Sequence, residues 1–191
     1  SPVSAVKESW FFTPPTIDTI KNVSGGVQVT WQALKYITGY QLFRSEDGTN
    51  FKMIASTKSG VNTYKDTAVE NGKTYYYKVK TYRKLDEGTF YSGALYVKSN
   101  IYVAPVTFST LTAGTKAFTA KYTQNAKATG YQVQYSKSST FASGNTNVTI
   151  SPNTTLSKTV SSLTSATTYY VRVRAYKIVK GKKIYSDWSA R

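Results

Sequence analysis

The segment Thr74-Tyr75-Tyr76-Tyr77-Lys78-Val79-Lys80-Thr81-Tyr82 returns later in the chain as Thr168-Tyr169-Tyr170-Val171-Arg172-Val173-Arg174-Ala175-Tyr176. In the first copy Tyr75, Tyr77, Val79 and Thr81 fall on one face and Tyr76, Lys78, Lys80 and Tyr82 on the other, the two-residue period of a half-buried strand. The second copy puts Tyr169, Val171, Val173 and Ala175 inward and Tyr170, Arg172, Arg174 and Tyr176 outward. Aromatic and β-branched residues in this pattern, each run preceded by turn residues, predict the central strand of an antiparallel sandwich.

Outward from these strands the chain keeps repeating itself. Thr38-Gly39-Tyr40-Gln41-Leu42-Phe43-Arg44-Ser45 matches Thr129-Gly130-Tyr131-Gln132-Val133-Gln134-Tyr135-Ser136, with Gly39 and Gly130 standing 91 residues apart. At the same offset Trp31 meets Tyr122 and Pro14 meets Pro105. The tyrosine strands stand 94 apart, so the second copy holds three extra residues between the matched blocks. A repeat of this length is one domain laid down twice.

Within the first copy, strands are expected over Thr16 to Lys21, over Val27, Val29 and Trp31 after Gly25-Gly26, and over Tyr40, Leu42 and Arg44. A turn at Glu46 to Asn50 leads into Phe51 to Ser56, and a short strand near Thr63 to Lys65 precedes the tyrosine strand. A hairpin at Asp86-Glu87-Gly88 then leads to a last strand from Leu95 to Tyr102. Seven short strands with turns about every ten residues predict a Greek-key sandwich.

Trp31, the Tyr75, Tyr77, Val79 run with Val69 before it, and Leu163, Thr167, Tyr169, Val171 and Val173 in the second copy resemble the fibronectin type III pattern. Over nearly the whole chain the resemblance implies an all-β protein of two seven-stranded, immunoglobulin-like Greek-key sandwiches in tandem. It further implies that Tyr75 and Tyr169 act as tyrosine corners, their hydroxyls bonding back to the preceding crossover. Tyr122 stands where that family has tryptophan, so its hydroxyl needs a buried partner.

Carried to its ends, the 91-residue offset aligns Ser1-Pro2-Val3-Ser4-Ala5-Val6-Lys7 with Ser92 to Lys98, and Trp10-Phe11-Phe12 with Ile101-Tyr102-Val103. Residues 1–12 therefore read as the orphan last strand of a preceding repeat or a linker, 13–103 as the first domain, and 104–191 as a second domain lacking its final strand. On this reading the chain is a fragment with an uncovered tyrosine strand. Residues 1–12 of another molecule could fill that edge head to tail, a strand exchange.

The chain has neither cysteine nor histidine, so disulfides, the usual zinc and haem sites and His-based catalysis are excluded. Its acids pair only as sequence neighbours on turns, Glu46-Asp47 and Asp86-Glu87, which cannot flank a scissile bond. No catalytic residue, metal site or cofactor is expected. No run approaches eighteen consecutive apolar residues, so no membrane span is expected.

The net charge is +16. Residues 13–103 hold 12 basic against 7 acidic side chains and residues 104–191 hold 12 against 1. Arg172, Arg174, Lys177, Lys180, Lys182 and Lys183 are candidates for an anionic partner, such as a cell-wall or host glycan or a host protein. No base-reading motif accompanies them, and nucleic acid is not expected. Tyr76, Tyr82, Tyr170 and Tyr176 are the outward rings available for stacking on sugars.

Tyr185-Ser186-Asp187-Trp188-Ser189 resembles the Trp-Ser-x-Trp-Ser box of cytokine receptors, although the cysteine pairs of that family are absent. This implies a structural cation–π ladder of Arg172, Arg174 and Trp188. Similar Lys/Tyr-rich repeats occur in Gram-positive bacterial surface proteins, an analogy implying a secreted or wall-attached location. The leading expectation is a non-catalytic spacer and interaction scaffold joined to other domains of its parent. Two alternatives are an adhesion or glycan-binding module using the basic second domain, and an accessory region of a multidomain carbohydrate-active enzyme.

Overall fold

The computed structural model describes residues 13–94 and 96–190, all of them strand or connection. The expectations for residues 1–12 and the start of the last strand at Leu95 lie outside the described residues. In the first copy β1 (Ile17–Val23), β2 (Gly26–Trp31) and β5 (Thr63–Asp66) form one sheet in the order β1-β2-β5. The other sheet is ordered β4 (Lys52–Lys58), β3 (Gly39–Ser45), β6 (Thr74–Leu85), β7 (Gly88–Tyr91), with β8 (Lys98–Ile101) also on β6. Tyr75, Tyr77, Val79 and Thr81 of β6 are all buried, as their alternation requires.

The expected single closing strand is in fact two. β7 pairs with the far half of β6, Tyr91 opposite Tyr82. The chain then breaks pairing at Ser92, whose amide donates to the Thr81 carbonyl at 3.0 Å while its hydroxyl accepts from the Thr81 amide at 3.0 Å. One serine thus takes both backbone groups of Thr81, and the chain is released to pair again lower down as β8.

The second copy repeats the plan. β13 (Ser157–Val160), β10 (Ala117–Tyr122) and β9 (Phe108–Gly114) make one sheet; β12 (Thr146–Ile150), β11 (Gly130–Ser136), β14 (Tyr170–Val179) and β15 (Lys182–Tyr185) make the other, each in that order. Antiparallel register sets Val133 against Val173 and Tyr131 against Ala175, so inward residues meet inward residues. The core holds Phe118, Ala120, Tyr122, Tyr131, Val133, Val171, Val173 and Ala175, and Val103 and Val106 join it.

By density of contacts the described residues form two compact units. One takes 13–20, Val29–Lys65 and Tyr75–Asn100; the other takes Lys21–Gln28, Asp66–Thr74 and 101–190.

Tyrosine replaces tryptophan at Tyr122 without leaving a polar atom stranded, because its hydroxyl donates to the Thr155 carbonyl at 3.1 Å. It is Trp31 whose indole Nε1 is buried with no hydrogen-bond partner among the described residues. Neighbouring Tyr131 donates to the Asn153 carbonyl at 2.8 Å and accepts from the Asn125 amide at 3.0 Å. Tyr40, its counterpart in the first copy, accepts from the Leu34 amide at 2.7 Å.

Tyr176 keeps the alternation but not the exposure expected of it. Expected on the wet face, it is buried, and the hydroxyl end of its ring lies against Gly130. A Cβ built on Gly130 would stand 2.8 Å from the Tyr176 hydroxyl and collide with the Ile150 carbonyl. Gly39 carries Tyr82 in the same way: a Cβ there would stand 2.9 Å from the Tyr82 ring. Each neighbouring threonine completes a clamp. The Thr38 and Thr129 amides donate to the Tyr82 and Tyr176 carbonyls, and their hydroxyls accept from the Lys84 and Ile178 amides. The repeated Thr-Gly-Tyr triplet is therefore a seat for the last tyrosine of the central strand.

Gly130→Ala is expected to lower stability in chemical denaturation by about 2–3 kcal/mol, because the obstacle is backbone and cannot swing aside. Gly114→Ala is the control. Its added methyl meets only Ala117 at 3.8 Å and should change stability by less than about 0.5 kcal/mol.

Candidate functional site: an arginine–aromatic ladder on the second sheet

β14 carries Arg172 and Arg174 two residues apart on its outer face, and β11 sets Gln134 and Gln132 opposite them. The Arg174 Nε and Nη2 donate to Gln132 Oε1 at 2.9 and 2.7 Å, and the Arg172 Nε donates to Gln134 Oε1 at 2.7 Å. Both glutamines are buried. Five groups then alternate in one stack. Arg174 Cζ stands 3.7 Å from the Tyr185 ring centroid and 4.1 Å from that of Trp188; Arg172 Cζ stands 4.4 Å from Trp188 and 4.0 Å from Phe141. Burial pulls the Arg174 pKa down, an effect that Tyr185 opposes and Arg172 reinforces, yet a guanidinium remains charged.

The serines of the pentad hold Trp188 in place. Ser186 bonds to both backbone groups of Ala175, and Ser189 does the same to Val173: the amides donate at 2.9 and 2.8 Å, and the hydroxyls accept at 3.0 and 3.1 Å. Ser186 repeats the device of Ser92. The expectation of a wholly uncovered tyrosine strand is thereby corrected, since Ser186 to Ser189 close the edge at Val173 and Ala175.

The six candidate anion-binding residues do not share a face. Arg172 and Arg174 are engaged by glutamines and rings. Lys183 pairs across from Ile178 and Lys182 from Val179, and successive strand residues face opposite ways. Lys183 therefore lies on the arginine face, its Nζ 4.9 Å from the Tyr176 ring, while Lys177 and Lys182 lie on the other. Lys177 donates to the Lys127 carbonyl at 3.1 Å, and Lys180 is exposed in the turn.

Of the outward tyrosines, Tyr76, Tyr82 and Tyr170 are half-buried and Tyr176 is buried. Tyr169, expected inward, is half-buried; its hydroxyl accepts from the Thr164 amide at 3.2 Å, on the crossover before it. Tyr75 is buried with Arg44 Cζ 5.1 Å from its ring. Among the described residues no group of three or more acidic side chains is placed to hold a metal, and no helix is long and apolar enough to cross a membrane.

Phe141, Gln132 and Gln134 were not legible as ladder members. Phe141 sits in the long connection between β11 and β12 at a positive φ of 56°, and no sequence period places it beside β14. In the first copy Lys78 and Lys80 hold the places of the two arginines. Lys78 Nζ lies 4.1 Å from the Phe51 ring and Lys80 Nζ 5.5 Å from Phe43.

A three-stranded sheet facing a larger sheet with the repeated strand at its centre occurs twice. The fold is that of tandem fibronectin type III sandwiches. No family model matches the sequence, and neither does any curated protein. Among solved structures, the chain is similar to a two-domain fibronectin type III segment of chicken tenascin at 13% identity, covering 92% of this chain and 96% of that one, with a TM-score of 0.43. The FN1–FN3 domains of chicken contactin give 16% identity, 92% and 63% coverage, and a TM-score of 0.40. A β-1,2-glucanase from Parabacteroides distasonis gives 24% identity and a TM-score of 0.42 over 47% of this chain; the match spans only 12% of the glucanase. These overlaps carry no conclusion about activity, and the fold stands on its own strand order and register.

Trp188→Ala removes two cation–π contacts and is expected to cost about 1–3 kcal/mol in chemical denaturation. Burial also pushes the Tyr122 phenol up to about 12, with Tyr131 adding to the effect. An unfolded tyrosine ionises near 10. Between those values the unfolded chain sheds a proton that the folded chain keeps, so stability falls as pH rises through this window. Tyr122→Phe is expected to remove about 2 kcal/mol of that fall, read from denaturation midpoints across the window.

Proposed function

We propose that the chain is a non-catalytic spacer and interaction scaffold of a secreted or cell-surface protein. The observation that supports this reading most is the ladder itself. The side chains with most potential for ligand chemistry, Arg172 and Arg174, bond to their own glutamines and stack between their own rings. Such a stack stiffens the sheet, a property suited to holding neighbouring domains apart. The test is replacement in the parent protein: exchanging residues 13–190 for an unrelated sandwich pair of equal length should preserve the activity of the flanking domains, and deletion should impair it. Loss of activity with the equal-length exchange contradicts the spacer role.

A second reading is favoured by the charge of residues 104–191 and by exposed Lys180 and Lys182. On this reading the β14–β15 hairpin contacts an anionic cell-wall or host glycan through counterion release. Binding to a sulfated glycan column should weaken as salt rises, and Lys180→Glu with Lys182→Glu should shift elution to lower salt. Elution unchanged by the pair of substitutions contradicts it.

A further inference from the structure

The outer face of β6 carries two cations at the positions of the β14 arginines, but without their acceptors. Register sets Phe43 opposite Lys78 and Gln41 opposite Lys80, so Gln41 holds the place that Gln132 holds opposite Arg174. No hydrogen bond joins Gln41 to Lys80. Among the described residues the Gln41 amide and both ammonium groups have neither a hydrogen-bond nor an ion-pair partner, although all three side chains are half-buried. Their company is aromatic: Lys78 Nζ stands 4.1 Å from the Phe51 ring and 5.9 Å from Phe43, and Lys80 Nζ 5.5 Å from Phe43. A ring face attracts a cation but leaves the three ammonium donors without an oxygen.

The surroundings fit one sign of charge. On β4, Met53 lies opposite Phe43 and Ser56 opposite Gln41, and Met53 is 54% exposed. Lys58 faces Gly39 on the same side, and no acid falls on this face of β3, β4 or β6. The acids next in sequence, Glu46 and Asp47, follow β3 in the turn. The Asp47 carboxylate there already accepts from the Ser45 hydroxyl and the Thr49 and Asn50 amides at 2.7 to 2.8 Å. β3 is paired on both sides, by β4 and by β6, so this is the middle of a sheet and not an edge awaiting a strand.

We infer that the outer face of the first sandwich, at Gln41, Phe43, Lys78 and Lys80, binds a linear glycan bearing carboxylate or sulfate groups. Lys78 and Lys80 stand two residues apart on one strand, about 7 Å, and each ammonium donates to an acid group of the glycan. The Gln41 amide meets its hydroxyls, and Phe43 with exposed Met53 packs against the apolar faces of its sugar rings. An acidic peptide would find no backbone to pair with on this face, because β3 bonds to strands on both sides. The site is a different one from the β14–β15 hairpin and does not rest on the spacer role.

Calorimetric titration of the full chain with an oligogalacturonate and with a sulfated cello-oligosaccharide of equal length separates the two kinds of acid group. At least one should bind. Lys78→Gln with Lys80→Gln should weaken that binding about tenfold or more, and Gln41→Leu about threefold, with the circular dichroism spectrum unchanged. Lys180→Gln with Lys182→Gln should leave the affinity within about twofold. In the unmodified chain, bound glycan should slow acetylation of Lys78 and Lys80, a readout that needs no variant. Failure of both glycans to bind overturns the inference, and so does binding lost in the hairpin variant but kept in the Lys78 and Lys80 variant. Unslowed acetylation of Lys78 and Lys80 also overturns it, as does equal affinity for a polyglutamate of matched charge.

Discussion

The structure depends on how the central strand of each repeat is held from both faces. Inward, β6 and β14 bury every second side chain against the opposing sheet. Outward, the last tyrosine of each run is pressed onto a glycine of the neighbouring strand, where a side chain would meet backbone. The first constraint is hydrophobic and tolerant of substitution. The second is geometric, and it fixes the register between β3 and β6 and between β11 and β14, since a slip of one residue would bring a Cβ under the ring.

The two copies use that frame differently. Around β6 the outward cations are lysines resting on Phe43 and Phe51. Around β14 they are arginines, whose flat guanidinium can stack on two rings and still donate to a glutamine in its own plane. Lysine offers a point charge and no plane, so only the second copy builds a continuous ladder. The same feature that invites an anionic partner in the sequence thereby consolidates the sheet.

Most of the fold was legible because it rests on local signals: the two-residue period, the turn residues, and a repeat whose offset could be measured. Trp188 as a partner of Arg172 and Arg174 was legible from the pentad. Three features were not. Tyr176 obeys the outward period yet is buried, because the relevant neighbour is a glycine on another strand. The lysines of the β14–β15 hairpin are clustered in sequence, but antiparallel pairing sends them to opposite faces. The closing strand of the first copy divides at Ser92 because one hydroxyl can replace a ladder partner, which no propensity scale records.

Ser92, Ser186 and Ser189 share that substitution of side chain for strand, and it is central to the account: the edge of β14 is completed by serine hydroxyls rather than by a regular strand. Native-state hydrogen exchange with Ser186→Ala tests it most directly. The account predicts that the Ala175 amide, protected in the unmodified chain, exchanges faster in the variant, while the Arg172 and Arg174 amides, directed toward β11, keep their protection. Equal protection of Ala175 in both proteins would contradict it.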